Sequence, residues 1–205
     1  MRVRVKICGI TNGKDAELAT EAGADALGLI FVPGTPRHVD ADTAQGIIKD
    51  LAPWITPVGV FADQPIAEVE RLMHRCGFLT IQLHGSESPE YCRSLNGSLI
   101  KAFRVGEGHN FPDLQAYPVH AYLLDTFVQG RLGGTGKTFP LELAARAKVF
   151  GRVIVSGGLT PGNVAQVIRE VGPYGVDVSS GVEAEPGRKD PHKMRDFVTR
   201  VREMG

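Results

Sequence analysis

Eight strand-like segments alternate with eight helix-like segments, and that regularity constrains the fold more than any other feature of the chain. The strand candidates cover 3–8, 26–32, 57–61, 79–84, 99–104, 121–126, 152–156 and 175–179. The helix candidates cover 14–22, 41–50, 66–76, 89–95, 110–117, 141–149, 161–170 and 191–204. Several helices carry start signals. Asp40 precedes Ala41, and Thr160-Pro161 and Asp190-Pro191 each set a capping residue before a first-turn proline. A flavodoxin-like sheet needs only about five strands and would leave units over. Eight βα units in 205 residues predict a (β/α)8 TIM barrel, one compact α/β domain over residues 1–205.

Side-chain alternation says what the barrel holds inside. In the first strand Val3, Val5 and Ile7 share one face, and Arg4, Lys6 and Cys8 share the other. Two cations and a thiol do not make an ordinary core face. The upper interior therefore reads as a polar site, with Cys8 at its rim as a base or a nucleophile. In the fourth strand Leu79, Ile81 and Leu83 are expected to face the helices, and Thr80, Gln82 and His84 the interior. In the sixth, Ala121, Leu123 and Asp125 share a face. Active sites of such barrels sit where the loops after the strands converge. Cys8, His84, Asp125, Ser156 and Ser179 all fall at that end. Taken alone, Cys8 also reads as a buried inert thiol, like Cys76 and Cys92, and Asp125 as a turn aspartate.

Charge and cysteine usage narrow the partners. Lys plus Arg equal Asp plus Glu at 23 each, and no basic cluster tracks a phosphate backbone. Neither nucleic acid nor a membrane surface is an expected partner. No run of 18 apolar residues predicts a transmembrane helix, and the chain enters a strand almost at once, so no signal peptide is expected. Three cysteines cannot all pair, and no two are spaced as a zinc knuckle; reduced thiols and a cytoplasmic location are expected. The six histidines form no His-x-His or His-Glu-x-x-His arrangement, which disfavours a metal hydrolase. A barrel of this size fits a monomer or a homodimer.

Three late turns are rich in small residues: Gly133-Gly134-Thr135-Gly136-Lys137-Thr138, Ser156-Gly157-Gly158-Leu159 and Ser179-Ser180-Gly181-Val182. Glycine lets a backbone approach an anion closely, so that successive N–H groups point at its oxygens. The second and third turns follow strands seven and eight, where barrels recurrently bind phosphate. Gly157, Gly158, Ser179, Ser180 and Gly181 are therefore candidate phosphate contacts. The first turn lacks the spacer of a P-loop; it follows strand six, and whether the loop over 130–138 folds over a ligand as a lid is left open by the sequence.

These pieces, in order, resemble one family. They are Val5-Lys6-Ile7-Cys8-Gly9-Ile10-Thr11, Gly23-Ala24-Asp25-Ala26-Leu27-Gly28, Pro36-Arg37, Val58-Gly59-Val60-Phe61, Gln82-Leu83-His84-Gly85 and Leu123-Leu124-Asp125. The three glycine turns continue the series, the last within Asp177-Val178-Ser179-Ser180-Gly181-Val182-Glu183. Together they resemble the phosphoribosylanthranilate isomerases of tryptophan biosynthesis over essentially the whole chain. Asp63 stands where that family often has Asn, and Pro140-Leu141 where Asp-Trp is common; neither is a presumed catalytic position.

The resemblance implies an Amadori rearrangement of N-(5-phosphoribosyl)anthranilate, a small phosphosugar substrate, without metal or organic cofactor. It implies Cys8 as the general base and Asp125 as the general acid. Arg37 would pair with the anthranilate carboxylate, while His84 and Asp177 would wall or brace the site. Lys6, on the same face as Cys8, is expected to favour the thiolate, and burial beside Leu123 is expected to raise the Asp125 pKa. A thiamin-phosphate synthase relative and a histidine-pathway aminoaldose isomerase are the neighbouring alternatives. The latter is expected to use two carboxylates, and Cys8 in the first strand speaks against it. A non-catalytic phosphate-binding barrel would need neither Cys8 nor Asp125.

Overall fold

Period-two strands joined by amphipathic helices close into a ring. The computed structural model describes residues 2–105, 113–125 and 139–205. Its strands are β1 (Arg4–Cys8), β2 (Ala26–Ile30), β3 (Thr56–Phe61), β4 (Thr80–Leu83), β5 (Ser98–Arg104), β6 (Ala121–Asp125), β7 (Val153–Ser156) and β8 (Gly175–Val178). They pair in parallel in chain order, and β1 pairs with β8 to complete a closed eight-stranded barrel. The expected TIM barrel is the observed one.

The α-helices are α1 (Gly13–Glu21), α2 (Ala41–Lys49), α3 (Ile66–Cys76), α4 (Pro89–Arg93), α5 (Phe139–Ala147), α6 (Val164–Val171) and α7 (Pro191–Arg202). Side-chain caps start several of them. Asn12 accepts the Asp15 N–H at 2.8 Å and Asp40 the Thr43 N–H at 2.8 Å. Asp190 accepts from His192 and Lys193. Such caps satisfy N–H groups that the first helical turn leaves open.

Three expectations need correction. The helix expected at 161–170 starts at Val164 instead, because Asn163 is engaged elsewhere: its Oδ1 accepts the Thr160 N–H and its Nδ2 donates to the Gly158 carbonyl. Pro161 therefore sits in a turn. Of the segment expected as helix at 110–117, residues 110–112 lie outside the described residues, and the rest forms a single 3-10 turn, Leu114–Ala116. Leu79 does not face the helices. It precedes β4 at the base of the barrel and is 74% exposed. The structure also adds a small hairpin between β8 and α7, formed by β9 (Glu183–Glu185) and β10 (Arg188–Lys189). Among the described residues, no helix is long and apolar enough to cross a membrane.

Two apolar layers hold the ring. Outward-facing strand residues such as Ile7, Leu27, Ile81, Leu83, Leu124 and Val155 are fully buried against the helices. Inside the barrel, Val58, Ile100, Ala102, Ala121, Leu123 and Ile154 form a second cluster. Full burial of each large side chain contributes about 1.5–3 kcal/mol. The inner cluster fills the lower barrel and leaves the C-terminal end of the strands to polar residues.

Candidate active site

A cavity of about 420 Å3 opens at the C-terminal ends of the strands, a volume suited to a small ligand. Every site residue expected from sequence lines it: Cys8, Arg37, His84, Asp125, Gly157, Gly158, Asp177, Ser179, Ser180 and Gly181. The convergence follows from the register. Lys6 lies beside Asp177 across β1 and β8, and Asp125 lies between Arg104 and Ser156 across β5, β6 and β7.

At the first strand, the Cys8 thiol is buried with Lys6 and Asp177. Lys6 Nζ donates to Asp177 Oδ1 at 2.8 Å, and Ser156 Oγ donates to Asp177 Oδ2 at 3.2 Å. Burial pushes the thiol pKa up, and the Lys6 cation opposes that rise without cancelling it. Lys6 favours the thiolate, as expected, but burial of the thiol outweighs it. Burial also disfavours the Lys6 ammonium, yet Asp177 and then Cys8 outweigh it and hold its pKa above the ordinary lysine value. Gly28 makes room for the group. A Cβ there would stand 2.6 Å from Cys8 Sγ and 3.1 Å from Lys6 Nζ.

Arg37 enters from the loop after β2 and is gripped by a residue that sequence reasoning did not single out. Glu183 accepts from Arg37 Nε at 2.8 Å and from Nη2 at 2.6 Å. Planar guanidinium–carboxylate pairs of this kind are the geometrically specific ones. Lys189 Nζ reaches the same carboxylate at 2.9 Å and also donates to the Ser179 carbonyl. Burial would raise the Glu183 pKa, but Arg37 and Lys189 hold it below the usual glutamate value. The hairpin β9–β10 therefore fixes an arginine fork at the rim. Glu183 was visible in the sequence as the end of the last motif, but its partner lies 146 residues earlier.

The eighth-strand turn sits beside Arg37: a Cβ at Gly9 would stand 2.6 Å from Arg37 Cδ and 3.1 Å from Ser179 Oγ. Gly157 and Gly158 both adopt positive φ, at 91° and 61°, a region that other residues rarely enter. At Gly181 a Cβ would lie 1.8 Å from the Leu159 carbonyl oxygen, so the eighth-strand turn packs directly on the seventh-strand turn. Ser179 Oγ is buried there with no hydrogen-bond partner among the described residues. The first of the three late turns, 133–138, and with it the candidate lid over 130–138, lies outside the described residues.

Asp125 ends β6 with its side chain 21% exposed, and His84 Nε2 stands 3.5 Å from its Oδ2. His84 Nδ1 is in turn 2.8 Å from Gln82 Nε2. Among the described residues, no three His, Cys, Asp or Glu side chains gather as a metal site. The arrangement presents an arginine fork beside backbone-lined turns, and a thiol and a carboxyl that line the same cavity. Such a site suits an anionic ligand on which protons are moved.

Comparison with known proteins agrees with this geometry. The family model for N-(5'phosphoribosyl)anthranilate (PRA) isomerase matches residues 5–200. An N-(5'-phosphoribosyl)anthranilate isomerase of Geobacter metallireducens is 50% identical over 200 residues, covering 98% of this chain and 99% of the relative. The crystal structure of the Thermus thermophilus phosphoribosyl anthranilate isomerase superposes with a TM-score of 0.86 at 40% identity, covering 99% of this chain and 100% of that one. A further such isomerase, solved with reduced 1-(o-carboxyphenylamino)-1-deoxyribulose 5-phosphate, has a TM-score of 0.87 at 36% identity over 98% of this chain and 99% of that chain. With the barrel, the cavity and these matches agreeing over nearly the whole length, the chain belongs to the N-(5'-phosphoribosyl)anthranilate isomerase family and is an isomerase of tryptophan biosynthesis.

Proposed function

We propose that the chain performs its rearrangement with Cys8 as general base and Asp125 as general acid. The observation that carries this reading is that both side chains face one cavity whose rims hold Arg37 and the two glycine turns. The substrate is N-(5-phosphoribosyl)anthranilate. Its phosphate lies against Gly157, Gly158, Ser179, Ser180 and Gly181, held mainly by backbone N–H groups. Its anthranilate carboxylate meets the Arg37 guanidinium, which Glu183 holds in place.

The steps follow from these positions. Asp125 protonates the ring oxygen as the bond from that oxygen to the first ribose carbon breaks, and the nitrogen lone pair forms a protonated Schiff base. Cys8 thiolate then removes the proton from the second carbon, giving an enolamine. Proton return to the first carbon and loss of the hydroxyl proton yield the ketone, 1-(2-carboxyphenylamino)-1-deoxyribulose 5-phosphate. Each positioned proton transfer contributes about 10²–10⁴-fold. Because burial holds the free thiol high, the thiolate is a minor and strongly basic species at neutral pH.

Loss of anthranilate-moiety fluorescence on mixing with freshly made substrate measures the turnover. The native chain is expected to turn over, and Cys8→Ala and Asp125→Ala each to lose about 10²–10⁴ in kcat while remaining folded. Unimpaired turnover in Cys8→Ala would require another base.

A further inference from the structure

Gln82 is a buried polar residue that the mechanism above leaves without a task. It lies on β4 inside the barrel, 1% exposed, and lines the cavity. Its Nε2 is 2.8 Å from His84 Nδ1, and the opposite ring nitrogen, Nε2, is 3.5 Å from Asp125 Oδ2. The three residues form a row from barrel interior to rim.

The chemistry of the row fixes a proton. An amide nitrogen carries hydrogens and no available lone pair, so it donates. With Gln82 Nε2 turned to the ring, and Gln82 Oε1 buried without a hydrogen-bond partner among the described residues, His84 Nδ1 accepts, and the neutral ring carries its hydrogen on Nε2, the atom that faces Asp125. A second proton, at Nδ1, would point an N–H at the amide N–H and is disfavoured. In this state neither ring nitrogen can take a proton from Asp125. One lone pair is occupied by Gln82, and the other nitrogen already bears a hydrogen. In the opposite tautomer the Nε2 lone pair would face the carboxyl and compete with the substrate for its proton. The resulting imidazolium–carboxylate pair would hold Asp125 ionised, the wrong form for an acid.

We propose that Gln82 is a positioning residue that locks His84 in the neutral Nε2–H tautomer, so that Asp125 delivers its proton to the substrate and not to the histidine. Once the proton has left, the same Nε2–H is placed to donate to the new carboxylate. The 3.5 Å separation is long for a formed bond, and catalytic contacts of this kind commonly tighten when substrate binds. The inference rests on the reading of Asp125 as the acid.

The test reads the tautomer directly. Nitrogen NMR of the 15N-histidine-labelled protein, with His84→Asn to assign its ring signals, is expected to show His84 protonated at Nε2 and not at Nδ1. Gln82→Met keeps the shape and removes the donor. It is expected to release the Nδ1–H form and to lower kcat on the order of tenfold with KM little changed, a fraction of a full proton-transfer contribution. A native Nδ1–H tautomer would overturn the inference, whether or not the variant folds, and would leave the acid assignment standing. A Gln82→Met protein with altered tautomer and native kcat would also overturn it. Native turnover in Asp125→Ala would remove the acid and the inference together.

Discussion

At the base of the barrel β5 and β6 turn Ile100, Ala102, Ala121 and Leu123 inward, into an apolar cluster with Val58 and Ile154. Two residues beyond, the same strands deliver Arg104 and Asp125 to the cavity. Two aspartates mark the contrast. Asp25, at the base, accepts the Val5 N–H at 2.8 Å and is bonded by Arg2, Arg4 and Arg202. Its burial is outweighed by those bonds, which hold its pKa below the usual aspartate value. It is locked as a carboxylate and ties the strand ends to α7. Asp125, at the mouth, faces the cavity beside His84. Charges at the base are arranged to stay as they are, while those at the mouth surround groups whose protonation the proposed chemistry must change. One strand pattern serves both because alternate residues point inward along its whole length.

The contrast can be broken most severely at Lys6, which couples the two regimes. Lys6→Met leaves the Asp177 carboxylate buried without its cation, and a cost of about 3–5 kcal/mol is expected by urea unfolding. The same change has a kinetic consequence with a definite sign. A raised thiol pKa means that kcat/KM of the native enzyme climbs as pH rises toward the thiol. Removing the cation that opposes burial moves that limb to still higher pH. An unmoved or lowered limb would show that Lys6 does not act on Cys8.

A smaller effect separates backbone from side chain at the phosphate rim. Gly158→Val forces a branched residue into positive φ and is expected to raise KM severely. Ser180→Ala, at an exposed hydroxyl, is expected to raise it modestly. Equal, negligible changes in KM would remove the phosphate from these turns. The smallest effect belongs to Asn12, which caps α1 four residues after Cys8 but is absent from the cavity lining. Asn12→Ala is expected to cost about 1 kcal/mol of stability with kcat unchanged; a large loss of turnover would show that mouth-end loops cannot be divided into scaffold and site.

Much of this was legible in the sequence because barrel strands obey a short rule. Period two placed Cys8, Gln82, His84 and Asp125 on the inner face, and strand ends placed three of them at the rim. What escaped depends on contacts that no local pattern encodes. The hairpin carrying Glu183 and Lys189 has strands of three and two residues, too short for alternation to register. Its grip on Arg37 joins the second and eighth βα loops. Thr160-Pro161 has the form of a helix start, yet Asn163 spends its amide on the Gly158 turn and the helix waits until Val164. Lys6 was seen beside Cys8, but the balance between its charge and burial of the thiol depends on how tightly the barrel closes around both.

The central claim is that the mouth carries chemistry and the base carries the fold. The most direct measurement sets Cys8→Ala beside Leu123→Ala, reading turnover and urea unfolding on both. Cys8→Ala is predicted to lose about 10²–10⁴ in kcat at near-native stability. Leu123→Ala is predicted to lose about 2–5 kcal/mol while its folded molecules keep near-native kcat. A Cys8→Ala protein that turns over normally, or a stable Leu123→Ala protein that does not, would contradict the account.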